Sequence, residues 1–347
     1  MSLETSFERV TLPLEFPFTI SRGTQTETTN VVVRIEDEDG VVGIGGAGPA
    51  GHYGESAATV EAVLPDLLAV VEDVGDPHQL DRIERLMGET IGDNPAARCA
   101  VSIALHDLVC KRLDVPLYRY WGLDPTATVE TSYTIGIDDT ETMREKTELA
   151  VDRGYGTLKV KLGTDRDVEI VETIRDVAPD ARLYVDANEA WTPKEAVRKI
   201  DDFAAYDLEF VEQPVPAENP EGLRYVYDRA SLPIAADESL ITADDVPRVA
   251  DRCDVANLKL MKCGGLREAI RIVHAARAHG LQVMCGCMSE TNASIAAACH
   301  LAPLLDYADL DGSLLLAEDP FDGVAMPGGR IDLEGLDRAG TGVVRTA

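Results

Sequence analysis

Lysine is nearly absent from this chain. Eight lysines stand among 347 residues, and 62 acidic residues outnumber 32 basic ones to give a formal net charge of -30. Such a polyanion is repelled by nucleic acid and by anionic membranes, which excludes both as partners. The acidic excess is scattered rather than gathered in a tail. With so little lysine it reads as a halophilic surface, whose self-repulsion is screened at high salt. No apolar run approaches the roughly 18 residues of a membrane-spanning helix, and no leader-like segment opens the chain, so a cytoplasmic protein is expected. No two of the seven cysteines, at 99, 110, 253, 263, 285, 287 and 299, form a CxxC pair. They read as reduced residues in or near the core, Cys285-Gly-Cys287 included.

Where lysine is scarce, its positions carry information. Lys159 and Lys161 lie in Thr157-Leu-Lys-Val-Lys161, and Lys259 ends Val255-Ala-Asn-Leu-Lys259. Between them come three carboxylates, Asp186, Glu212 and Asp237, each at the end of a short apolar run. The runs recur every 22 to 27 residues and are separated by stretches of helical period such as 167–175, 192–203 and 266–277, with cap-type residues at Asp165, Thr192 and Thr242. Alternating strands and helices at this spacing imply βαβ units and a parallel sheet. Eight strand candidates follow from the pattern: 129–137, 157–162, 181–186, 208–213, 233–237, 254–260, 281–286 and 307–311. Eight such units predict an α/β barrel of the TIM type, with its chemistry at the C-terminal strand ends, where the lysines and acids fall.

The first part of the chain has a different pattern. Segments 7–20 and 30–46 predict antiparallel strands, with a hairpin turn at Asp37-Glu-Asp-Gly40, and helices are predicted at 54–73, 77–91 and 95–113. The domains expected are an α+β module at 1–125, a barrel at 126–318, and a segment at 319–347 that returns to the first module. Gly43-Ile-Gly-Gly-Ala-Gly48 matches the dinucleotide fingerprint, but its strand belongs to a hairpin and Pro49-Ala-Gly51 follows it. The expectation here is a flexible loop at 45–54 that helps to cover the barrel mouth.

Strand-end acids can simply cap the next helix. That explains one such residue and poorly explains three in register. Three carboxylates without histidine or cysteine suit Mg²⁺, one ion per subunit. A lysine in a barrel mouth must be paired or have its pKa lowered by burial and neighbouring cations, and a lowered pKa is what a general base requires. On the eighth strand, Asp309 and Asp311 stand two residues apart and are expected to face one side as a two-pronged anionic clamp.

The order Lys159-Val-Lys161, Asp186-Ala-Asn188, Glu212-Gln-Pro214, Asp237-Glu-Ser239 and Lys259-Leu-Met-Lys-Cys-Gly-Gly265 resembles the muconate lactonizing enzyme subgroup of the enolase superfamily. Residues 96–107 resemble the same subgroup's helix before the barrel. The resemblance implies an enolase-like barrel whose capping domain is formed by the N-terminal part and the C-terminal segment. It implies that Asp186, Glu212 and Asp237 bind Mg²⁺, with Asn188 and Glu238 just behind them. It implies that Lys161 and Lys259 stand on opposite faces of the substrate and transfer the proton α to a metal-bound carboxylate through an enediolate, with Lys159 adding positive charge beside them. Asp309-Leu-Asp311 is similar to the motif with which the subgroup's dipeptide epimerases hold an α-ammonium group. Arg22 stands where the Ala-Glu epimerases place an arginine for an acidic side chain. At Ser289 this chain departs from them, since a bulkier apolar residue is expected there, and His52 is a weaker candidate for substrate contact. The expected partners are a small molecule, a dipeptide first, and further copies of the chain in a homo-oligomer. The alternatives are a muconate-type cycloisomerase or an o-succinylbenzoate synthase of the same subgroup, and a non-catalytic metal-binding barrel.

Overall fold

In the computed structural model, which describes residues 2–346, the chain opens with three antiparallel strands, β1 (Leu3–Ile20), β2 (Gly23–Asp37) and β3 (Val42–Ala47), in that order across the sheet. Asp37 makes the predicted turn, its Oδ1 accepting the N–H groups of Asp39 and Val41 at 2.9 Å each. β2 begins seven residues before the predicted start at 30. Residues 23–29 are polar and lack apolar alternation, yet they pair with β1 back to Ile20↔Gly23. This long ribbon carries Arg22 at its tip.

Helices α1 (Ala57–Val74), α2 (Leu80–Thr90) and α3 (Pro95–Arg112) pack on this sheet, and a single turn, α4 (Leu117–Tyr120), leads out. α3 is apolar nearly all round because it is buried nearly all round, between the sheet and the barrel. The loop expected at 45–54 is corrected over its first residues, since 45–47 lie buried in β3. A β-carbon on Gly43 or Gly45 would fall 2.0 or 2.1 Å from a backbone oxygen of α3. These glycines serve close strand–helix packing, not mobility.

The barrel strands are β4 (Tyr133–Ile135), β5 (Thr157–Lys161), β6 (Arg182–Asp186), β7 (Leu208–Glu212), β8 (Ile234–Ala236), β9 (Val255–Lys259), β10 (Gln282–Gly286) and β11 (Tyr307–Asp309), parallel and in sequence order. All eight predicted strands are present, somewhat shorter than predicted. A bridge between Thr131 and Ala308 and a hydrogen bond from Ser132 N–H to Ala308 O (3.0 Å) join the first strand region to the last. The intervening helices are α5 (Thr140–Asp152), α6 (Asp167–Val177), α7 (Pro193–Phe203), α8 (Pro220–Tyr227), α9 (Val246–Val249), α10 (Leu260–Cys263), α11 (Leu266–Ala278) and α12 (Asn292–Cys299). Thr192 makes a capping box with Glu195, and Thr242 makes one with Asp245. Asp165 caps nothing. The N-cap of α6 is Arg166, without a side-chain cap, and Asp167 at the start of the helix instead holds the preceding loop by accepting the Gly163 and Thr164 N–H groups at 3.0 and 2.7 Å.

The strand period of two then separates two layers inside the barrel. Tyr184, Phe210, Ala235, Val255 and Met284 form a buried apolar plug. Two residues further along the same strands stand Asp186, Glu212, Asp237, Asn257 and Gly286. The tail, with short strands β12 (Phe321–Asp322) and β13 (Val344–Arg345), returns to the first module. Asp107 of α3 is fully buried there and accepts Ile44 N–H, Thr341 N–H and Lys111 Nζ at 2.9, 2.7 and 2.6 Å. None of the seven cysteines is in a disulfide; six are buried and Cys287 is half-buried.

Candidate active site

Register brings the ionisable groups to one level. Lys161 pairs with Asp186 across β5 and β6, and Asp186 with Glu212 across β6 and β7. Lys259 and Asp309 each lie opposite Gly286. Asp237 follows β8 directly. Asp186, Glu212 and Asp237 are fully buried, and their carboxylate oxygens lie within 4.8 Å of one another.

Sharp backbone turns aim these acids. Asn188, Glu189 and Gln213 have φ of 44°, 68° and 33°, the left-handed region that non-glycine residues adopt at a cost. The turn after β6 returns Asn188 N–H to Asp186 Oδ1 at 2.8 Å. Gln213 Oε1 accepts the N–H groups of Asp237 and Ser239 at 2.9 and 3.1 Å, which fixes the turn after β8.

Each acid is met by lysine. Lys161 Nζ lies 2.7 Å from Asp186 Oδ2, and Lys259 Nζ lies 2.7 Å from Asp237 Oδ2. Lys159, with no exposed surface, reaches Asp186, Glu212 and Asp309 at 3.2, 2.8 and 2.8 Å. Lys262, also buried, lies 2.5 Å from Asp237 Oδ1 and 3.0 Å from Asn257 O. Sequence reasoning gave no site role to Lys262 or to Asn257, whose Nδ2 donates to Glu212 Oε1 at 2.8 Å. The scarcity of lysine was a usable signal for the first: half of the chain's eight lysines meet here.

These contacts set the proton affinities. Burial is the largest single influence and lowers a lysine's pKa, but the Asp237, Glu212 and Glu238 charges together outweigh it at Lys259, and the Asp309, Glu212 and Asp186 charges together outweigh it at Lys159. Of the two states expected for a lysine in the barrel mouth, both therefore take the paired one, in which unneutralised carboxylates raise the pKa. Glu212 is pushed up to about 8 by burial and by the Asp186 charge. Its Oε2 is buried and, although 2.8 Å from Lys159, makes no well-aligned hydrogen bond. An oxygen so placed among two further carboxylates fits a hard divalent cation, which takes oxygen ligands and offsets the charge that burial penalises.

A cavity of about 430 Å³ opens above this level, and Lys161 and Lys259 line it from β5 and β9. β9 stands four places from β5 in the eight-stranded order, so the two lysines stand on opposite sides. Asp309 and Asp311 line it too, with different surroundings. Asp309 is held by Lys159 and by Ser132 Oγ at 2.8 Å. Asp311 lies beyond the end of β11, accepts Thr134 N–H at 2.6 Å, and is pushed up to about 7 by burial and by the Asp309 charge. The two prongs of the expected clamp are thus unequal, because Lys159 already pairs one of them.

The mouth is formed by the tip of the β1–β2 ribbon and residues 49–53. Arg22 lines it, donating to Glu238 Oε1 at 2.9 Å and to Glu189 Oε2 and Asn188 O at 3.2 Å each. His52 Nε2 lies 3.2 Å from the same Glu189 oxygen. Glu238 is pushed up to about 7 by burial and by the Asp237 and Asp186 charges. Ser289 also lines the cavity, its carbonyl accepting Thr28 Oγ1 and Asn30 Nδ2 at 2.9 and 3.1 Å.

A family model described as mandelate racemase / muconate lactonizing enzyme, N-terminal domain, matches residues 2–122, and one described as enolase C-terminal domain-like matches residues 142–344. An L-Ala-D/L-Glu epimerase of Bacteroides thetaiotaomicron is 41% identical over 99% of this chain and 88% of its own length. The crystal structure of a dipeptide epimerase from Enterococcus faecalis V583, complexed with Mg and L-Leu-L-Tyr, superposes with a TM-score of 0.91 at 36% identity, covering 99% of this chain and 100% of that one. A dipeptide epimerase from Methylococcus capsulatus, complexed with Mg and L-Arg-D-Lys, gives 0.91 at 35% identity with the same coverage. With its cap, barrel and strand-end acids all accounted for along nearly the whole length, the chain belongs to the mandelate racemase / muconate lactonizing enzyme family of enolase-like proteins.

Proposed function

We propose that this protein is a Mg²⁺-dependent dipeptide epimerase that inverts the carbon α to the substrate's carboxylate by 1,1-proton transfer. The observation that carries the reading is the placement of Lys161 and Lys259 on opposite sides of one cavity large enough for a dipeptide. Inversion requires a base on one face of the carbon and an acid on the other. Asp186, Glu212 and Asp237 would hold the metal, with Asn188 and Glu238 orienting their turns. A bound Mg²⁺ supplies positive charge that favours loss of the α-proton and relieves the carboxylate pairing that raises the pKa of Lys259. One lysine then takes the proton and the other returns one to the opposite face. Lys159 keeps a fixed positive charge beneath them.

Asp311 holds the substrate's ammonium group, supported by Asp309. Both acids disfavour the dianionic, ammonium-free substrates of a cycloisomerase or synthase, and the lysine pair argues against a barrel without chemistry. Direct evidence comes from loss of the α-proton signal of L,L-dipeptides in D₂O with Mg²⁺. No exchange with any member of a dipeptide library would overturn the reading.

Because the Asp311 pKa of about 7 lies above the ordinary carboxylate range, the group becomes neutral as pH falls through 7 and loses its attraction for an ammonium. Expected kcat/KM therefore falls below pH 7, approaching about tenfold per pH unit. Asp311→Asn should abolish this acid limb while lowering kcat/KM throughout. An unchanged limb in the variant rules Asp311 out as its origin.

Halophily, a cytoplasmic location, a homo-oligomeric state and the division at 125 and 318 belong to the same reading. No helix of the described residues is long and apolar enough to cross a membrane. With a net charge of -30, the melting temperature should rise between dilute buffer and molar KCl, as the screening length shrinks from about 30 Å at 0.01 M to about 3 Å at 1 M. A melting temperature indifferent to salt argues against halophily.

A further inference from the structure

Each of the three strand-end acids is held by one oxygen and presents the other. Asp186 Oδ1 accepts Asn188 N–H, and its Oδ2 faces Lys161. Glu212 Oε1 accepts Asn257 Nδ2, and its Oε2 faces Lys159. Asp237 follows the same rule with a different holder: Oδ1 accepts Lys262 Nζ at 2.5 Å, and Oδ2 faces Lys259. Two of the holders are neutral amides, and the third is a lysine only 1% exposed in a chain that has eight lysines. Burying an ammonium is costly, and Lys259 already gives Asp237 a counter-charge, so neutralisation alone does not account for Lys262.

Lys262 has no donor to spare. Its three N–H bonds go to Asp237 Oδ1, to the Asp237 carbonyl at 2.5 Å and to Asn257 O at 3.0 Å. Gln213 Oε1 takes the Asp237 N–H. Asp237 is therefore held at its main-chain N–H, its carbonyl and Oδ1, which leaves Oδ2 alone to change partners. We infer, on the metal assignment above, that Lys262 is a positioning residue: it limits Asp237 to one oxygen toward the metal and so reserves a place on the metal for the substrate's carboxylate. A carboxylate with both oxygens free can take two places on a divalent cation, and one held as Asp237 is can take only one. Mg²⁺ accepts a small, fixed number of oxygens, so each place the protein leaves is open to water or substrate. The charge of Lys262 also opposes that of the metal. Lys262 thus weakens Mg²⁺ binding and favours substrate binding, the reverse of what a merely structural support does.

The test uses Lys262→Met, which keeps an apolar stem, and Lys262→Gln, which keeps a donor without the charge. Melting curves establish that each variant is folded, calorimetry measures Mg²⁺ affinity without substrate, and kcat and KM are measured for an accepted dipeptide at saturating Mg²⁺. Lys262→Met should bind Mg²⁺ at least as tightly as wild type, while KM rises by about 10- to 100-fold, the usual cost of losing a partner that aims a metal ligand. Lys262→Gln should recover about tenfold of that rise. A wild-type KM in Lys262→Met, or Mg²⁺ binding weakened along with activity, overturns the inference. A glutamine variant no better than the methionine one overturns the holding of Oδ1. Should Lys262→Met not fold, Lys262→Gln decides alone: Mg²⁺ binding as tight as in wild type supports the inference, and weaker binding overturns it. Failure of the wild type itself to bind Mg²⁺ in the same titration overturns the metal assignment instead.

Discussion

Lys161→Ala and Lys259→Ala should each abolish inversion of a dipeptide epimer, by about 10²- to 10⁴-fold, while each keeps solvent exchange of the α-proton in one epimer only. Each lysine lines the cavity from its own side, on strands four places apart. Removing one leaves the other able to take and return a proton on its own face, which exchanges hydrogen for deuterium and does not invert the carbon. The variants should therefore show complementary patterns in an NMR exchange assay on the two epimers. Their folds should persist, because Asp186 keeps Lys159 at 3.2 Å and Asp237 keeps Lys262 at 2.5 Å. If one lysine is dispensable for inversion, the two-base mechanism is wrong and a single-base elimination or cycloisomerisation explains the site better.

Glu212→Gln should lower turnover by about 10³-fold or more and weaken Mg²⁺ binding with little loss of fold. Several kcal/mol of charge stabilisation depend on a bound metal. The change leaves Lys159 with Asp186 and Asp309, and the glutamine amide oxygen can still accept from Asn257. Calorimetric titration with Mg²⁺ and a melting curve separate the two effects. Undiminished turnover in the variant, or in wild type with excess EDTA, would sink the metal assignment. Asp237→Asn is the less clean choice, since Lys262 is buried against that carboxylate and breaking a buried pair costs about 3–5 kcal/mol. The Glu212 pKa of about 8 adds a further observable. A protonated carboxyl must release its proton to bind a cation, so Mg²⁺ affinity should rise with pH up to about 8.

The barrel was legible because its strands and helices repeat at a regular spacing and each strand shows its burial in a short apolar run. The clustering of the lysines and the three strand-end acids was legible for the same reason, since register carries strand ends to one level. Residues 23–29 were not legible as strand, because an exposed two-stranded ribbon has no apolar face to report. Gly45 was misread as loop because a glycine required for close packing looks, in sequence, like a glycine required for flexibility. Only the position of α3 distinguishes the two.

What this sequence determined by itself is the order of the chemical groups: lysines, three acids, a lysine and an Asp-x-Asp pair, one set per βα unit. That order follows from local period, and it sufficed for the fold and the class of chemistry. Tertiary structure decided the pairing. Lys262 enters the site through a turn that sequence spacing does not describe, Lys159 claims Asp309 across the barrel, and Glu189 meets Arg22 from 167 residues away. Charges act through distance and burial, and neither is a property of position along the chain. For that reason the proton affinities became readable only from the tertiary structure.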